Sequence, residues 1–99
     1  MQPFDPRELI DAARREYPEQ PWIAEALGHC TEAFSVSRWM VHFVDPAKPN
    51  EPGSAWQFRE NVILESPADG DIVLDILKDG RVGAIEYLGR LLGHNGRAR

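Results

Sequence analysis

A single cysteine, Cys30, stands in the 99 residues, so no disulfide can form within the chain and no multi-cysteine metal site is available. Long apolar runs are missing as well. The uninterrupted ones extend only a few residues, and the opening Met-Gln-Pro-Phe-Asp-Pro has neither the basic nor the apolar region of an export signal. The cytoplasm is therefore the expected compartment, with no membrane partner. Positive charge is in short supply: 16 acidic residues face 11 basic ones, a net charge of −5. Residues 1–37 carry seven acids and three bases and residues 45–86 nine acids and four bases, whereas residues 87–99 hold three bases and no acid. An acidic body repels phosphate, which argues against nucleic-acid binding, because that binding rests on lysine and arginine displacing counterions. A cationic partner is attracted instead.

The residue types that carry catalysis are present but scattered. His29, His42 and His94 with Cys30 are the possible soft ligands or bases, and their spacing does not bring three of them together. No serine stands in a nucleophile elbow, and Gly70, Gly80, Gly83 and Gly89 are spread over turns and a strand instead of forming a phosphate-cradling loop. Asp69-Gly70-Asp71 with Asp75 and Asp79 is the densest acidic run, yet it lacks the further oxygen ligands and closing glutamate of a calcium loop. No catalytic set, metal site or cofactor is expected from these patterns.

What is there reads as one α+β domain over residues 1–99. Asp5-Pro6-Arg7-Glu8 opens a helix, with Asp5 as cap and Glu8 completing a capping box; Leu9, Ile10, Ala13 and Tyr17 keep helical spacing until Pro18, which predicts a helix over 6–17. Pro21, with Trp22, Ile23, Ala26 and Leu27 before Gly28, predicts a short helix over 21–27. The period then changes to alternation. Strands are predicted over 33–44, with a slip near Ser37, over 56–65, with a slip at Glu60-Asn61 where a bulge fits, and over 71–78 and 81–88; residues 94–99 read as a flexible tail. Asp45 to Ala55, with three prolines, reads as an irregular surface loop. Together these give N-terminal helices packed on one face of a four-stranded antiparallel β-meander.

Asp79-Gly80 suits a two-residue hairpin turn, and that loop length pairs Leu77 with Val82, Ile76 with Gly83, Asp75 with Ala84, Leu74 with Ile85 and Val73 with Glu86. One face then holds Ile72, Leu74, Ile76, Ile85 and Tyr87 beside Gly83 and is wholly apolar. The other mixes Val73, Leu77, Val82 and Ala84 with Asp75 and Glu86. Those two carboxylates lie diagonally on one face; with His42 they form the candidate set for a small-ligand module or minor enzyme with an acidic cleft. On an exposed face they do no more than keep the sheet soluble. Trp56 follows the proline-rich loop and is either core filler or an interface anchor.

The stretch from Trp39-Met40-Val41-His42-Phe43-Val44-Asp45-Pro46 through Asn50-Glu51-Pro52-Gly53-Ser54-Ala55-Trp56 and Asn61-Val62-Ile63-Leu64-Glu65 to the Leu74–Leu88 hairpin resembles the small immunity proteins of bacterial toxin systems. The likeness covers residues 38–88. It implies a non-enzymatic cytoplasmic protein that binds a cognate toxin domain and blocks it, but it carries no functional residue across, because such families diverge where they touch their toxins. The acidic composition adds that the toxin is cationic. The partner-binding candidates are Asp75, Glu86, Trp56, Asp69 and Asp71, and an exposed strand edge could also pair two copies of the chain.

Overall fold

The computed structural model describes residues 1–92, so His94 and the tail predicted over 94–99 lie outside the described residues. After the short strand β1 (Gln2–Pro3), helix α1 spans Arg7–Glu16 and buries Leu9, Ala12 and Ala13, the stripe that its periodicity sets toward a core. Asp5 does not cap it as expected. Its carboxylate accepts the Arg7 N–H at 3.1 Å and is clasped by the Arg7 guanidinium at 2.7 Å, and the cap position falls to Pro6. Helix α2 (Pro21–Gly28) starts at its proline and buries Ile23, Ala24 and Leu27.

The strand predicted over 33–44 is three short pieces: β2 (Glu32–Ala33), which pairs with β1, then β3 (Ser35–Val36) and β4 (Met40–His42), which pair with each other. Ser37 folds the chain back between the last two. Its N–H donates to the Met40 carbonyl at 2.8 Å and its hydroxyl oxygen accepts the Met40 N–H at 3.2 Å, so the slip in alternation is a tight turn.

Strands β5 (Phe58–Ser66), β6 (Gly70–Leu77) and β7 (Val82–Tyr87) form a meander, with a bulge between Phe58 and Glu60, just ahead of the expected place. The four-stranded meander is nevertheless a five-stranded antiparallel sheet in the order β3-β4-β7-β6-β5. Strand β4 lies beside β7, so the segment from Phe43 to Gln57 crosses the sheet in a Greek-key connection. Leu88 does not extend β7. It starts a short helix, α3 (Leu88–Leu92), and Gly89 within it packs so close to Asp69 that a Cβ there would collide with the Asp69 carbonyl.

The hairpin between β6 and β7 corrects the predicted register in an instructive way. The Leu77 N–H donates to the Arg81 carbonyl at 2.9 Å and the Gly80 N–H to the Leu77 carbonyl at 2.9 Å, so the loop is the three residues Lys78-Asp79-Gly80, with Gly80 left-handed at φ 91°. Ile76 therefore pairs with Val82. A bulge at Gly83 then restores the predicted partners from Asp75–Ala84 to Ile72–Tyr87. Between turn and bulge the faces are exchanged: Val82 joins the helix-side core, while Gly83 lies against Leu77 and Trp56 on the other side.

The main core lies between the helices and the sheet, with Ile23 and Leu27 of α2 meeting Leu64, Ile72, Leu74, Ile76 and Ile85, all nearly or fully excluded from solvent. On the other face a smaller cluster forms from Val44, Trp56, Leu77 and Ala84, with Met40 and Phe58 at its margin. No helix among the described residues is long and apolar enough to cross a membrane.

Candidate functional site

The loop that crosses the sheet is ordered by its own polar groups. Asn50 adopts φ 65°, its N–H donates to the Trp56 carbonyl at 2.8 Å and its side-chain oxygen accepts the Phe58 N–H at 2.9 Å. The Gln57 amide reaches the carbonyls of Glu51 at 2.7 Å and Ser54 at 3.2 Å. These bonds order the segment, which is the irregular surface loop expected from its prolines, exposed at every residue from Asp45 to Ala55 except Pro46 and Ser54. It sets Trp56, 8% exposed, against Gly83, where a Cβ would lie 2.8 Å from the indole. Trp56, just past the loop, is thus an interior residue of the smaller cluster.

The strand pairings place a row of polar side chains across the same face: Ser35 beside His42, His42 beside Ala84, Ala84 beside Asp75, and Asp75 beside Asn61. The next row holds Met40, Glu86, Val73 and Ile63. Asp75 is 5% exposed, so it is no solubilising surface charge. The Asn61 amide donates to its carboxylate at 2.6 Å. Burial, followed by a hydrogen bond shared with Glu86 and the charge of Glu86, pushes the Asp75 carboxyl up to about 7, against the opposing pull of Asn61. A carboxyl that is half protonated near neutrality can donate to Glu86, which explains how two acids share one sheet face.

His42 is the third member. Its imidazole packs edge-on to Trp56 with ring centres 5.8 Å apart, and the Ser35 hydroxyl stands 3.5 Å from Nδ1. Burial lowers its basicity and Glu86 partly restores it. Asp75, Glu86 and His42 therefore share one face, as the alternation and register of their strands require. Asn61 completes the group without having been singled out as a site residue; the signal was a polar side chain at the slip in β5.

The other candidates lie apart. Asp71 is exposed at the start of β6, opposite Glu65. Asp69 turns to the helix side, where its carboxylate holds the Arg90 guanidinium at 2.9 Å while that guanidinium stacks 3.9 Å over the Tyr87 ring. The buried Cys30 thiol is pushed up to about 12, a value at which it is neither nucleophile nor metal ligand at neutral pH. Among the described residues, no three of His, Cys, Asp and Glu are grouped to hold a metal ion.

Hollows open elsewhere on the molecule. One of about 710 Å³ lies between α2 and the β6–β7 turn, beside Trp22, whose indole carries the Arg59 guanidinium at 5.1 Å. Another, about 550 Å³, runs between α1 and the β5–β6 turn. Neither reaches Asp75 or Glu86. At the β5 edge the Tyr17 hydroxyl donates to the Ile63 carbonyl at 2.7 Å and the Glu16 carboxylate accepts the Glu65 N–H at 3.0 Å, so α1 occupies backbone groups that an added strand would use. No family model matches this chain, and no match was found among curated proteins or solved structures.

Proposed function

We propose that this protein is a non-enzymatic binding protein of the cytoplasm that neutralises a cognate toxin domain by tight association through an acidic surface, in the manner of the immunity proteins that its second half resembles. The observation that carries this reading is the uncovered part of the second sheet face. The crossing loop seals the end near the β6–β7 turn and leaves Glu86, Val73 and Met40 half-buried and Ile63 48% exposed. Apolar side chains set among carboxylates on a rigid sheet suit a partner that brings both apolar contact and positive charge. Asp71 extends the acidic strip along β6, and Asp75 and Trp56 support it from beneath as buried residues. Co-expression with the product of the neighbouring gene tests the reading. The expected result is rescue of growth and joint retention on an affinity column, both weakened by Glu86→Gln with Asp71→Asn. A neighbour that is neither toxic nor retained refutes it.

A second reading is favoured by one observation, the carboxyl of Asp75 poised near neutrality beside Glu86, with His42 on the same face across Ala84. In it the three groups form an acid–base site for a small ligand on the open face. It requires ligand-induced chemical-shift changes centred on Asp75 in a screen of small polar metabolites; changes confined to other parts of the chain count against it.

A further inference from the structure

Asp75 and Glu86 share the open sheet face without a cation between them. Among the described residues, Glu86 is the one charge that acts on the Asp75 carboxyl. On β5 its neighbour is the neutral Asn61 amide, at 2.6 Å, while Arg59 of the same strand turns to Trp22 on the helix side. On β7 it is Glu86, and on β4 it is His42, across Ala84. The charged residues of the crossing loop, Asp45, Lys48 and Glu51, are exposed.

The two acids differ in depth. Asp75 is 5% exposed, whereas Glu86 is half-buried in the uncovered part of the face, between Met40 and Val73. A cation brought to this face therefore meets Glu86 first. Pairing with it occupies the carboxylate that accepts the Asp75 proton and offsets the charge that keeps that proton in place, two of the three causes that hold the Asp75 carboxyl near 7. The third cause, burial, is nearly complete before any partner arrives, so covering the face adds little to it. A group that holds its proton less tightly in a complex than when free favours the complex at higher pH. We propose that a cationic partner docks on this face with release of the Asp75 proton, so that acidification loosens the complex and alkaline conditions tighten it. This rests on the sheet-face reading above and adds the regulation of that same surface.

The test takes the product of the neighbouring gene, separated from this chain after co-expression, and titrates it into the parent chain and into Asp75→Asn at neutral pH. Calorimetry in two buffers of different ionisation enthalpy counts the protons released on binding, and the difference between the two chains cancels the partner's own titrating groups. The parent is expected to release about half a proton more than Asp75→Asn, and its affinity to rise roughly tenfold more than that of the variant between pH 6 and pH 8. His42→Gln is expected to release as many protons as the parent. Equal counts in the parent and Asp75→Asn, or a His42→Gln count that falls to that of Asp75→Asn, overturns the proposal and leaves the sheet-face reading standing. A product that binds at no pH overturns both.

Discussion

The two faces of the sheet are built from the same three long strands and reach opposite ends. Toward the helices, Ile72, Leu74, Ile76, Leu64 and Ile85 interlock with α1 and α2 without a polar group among them. On the other face a loop covers one end only, a carboxyl is buried beside a second carboxyl, and a histidine leans on a tryptophan. The first arrangement is what burying apolar area alone would select. The second keeps a costly acid inside and leaves apolar side chains uncovered, departures that are common where a protein meets something else.

The sharpest way to break this comparison is to strip each face in turn. Leu74→Ala, at a position with no solvent exposure in the main core, is expected to lower stability by about 3 kcal/mol in urea unfolding, the usual cost of such a cavity. Gly83→Ala on the other face is expected to cost about 2 kcal/mol, because the added methyl meets Trp56 at 2.8 Å and Leu77 at 2.9 Å. Trp56→Leu in the same chain should recover part of that loss, which a double-mutant cycle reads directly.

Asp75 gives the comparison a pH axis. Its folded-state value of about 7 exceeds the ordinary 3.8, so the folded chain holds this proton more tightly than the unfolded chain. The stability it contributes is greatest at low pH, falls as pH rises from about 4 to about 7, and levels above that. Asp75→Asn should therefore leave stability near pH 4 almost unchanged and raise it at pH 8 by about 1–2 kcal/mol, with the bond to Asn61 kept. At the smallest scale, Tyr17→Phe removes the bond to the Ile63 carbonyl and should cost about 1 kcal/mol. Gel filtration of that variant reports whether freeing the β5 edge lets two copies pair.

Local pattern made much of this fold legible. The stripe of α1, the prolines that start and stop the helices, and the alternation of β6 and β7 are near-neighbour signals, and the wholly apolar face followed from them. Non-local choices were less accessible. That β4 pairs with β7, and that Ser37 makes a turn, depend on how the Phe43–Gln57 segment crosses the sheet, which no periodicity encodes. The hairpin shows the limit at one residue: Asp79-Gly80 fits both a two-residue and a three-residue loop, and the bulge at Gly83 hides the difference from every position beyond it. At the site, the sequence put Asp75 and Glu86 on one face, but the depth of Asp75 depends on the loop above and on Asn61 alongside. The Arg90–Asp69 pair was not legible because Leu88 reads as the end of a strand, whereas it starts α3, which brings Arg90 to Asp69.

The central claim is that the buried Asp75 carboxyl keeps its proton close to neutral pH beside the half-buried Glu86. Carbon-13 detection of the Asp75 side-chain carboxyl across a pH titration, in the parent chain and in Glu86→Gln, tests it most directly. The expected result is an Asp75 carboxyl that titrates with an apparent midpoint near 7, a midpoint that Glu86→Gln moves down. A single Asp75 midpoint near 4, unchanged by Glu86→Gln, would contradict it.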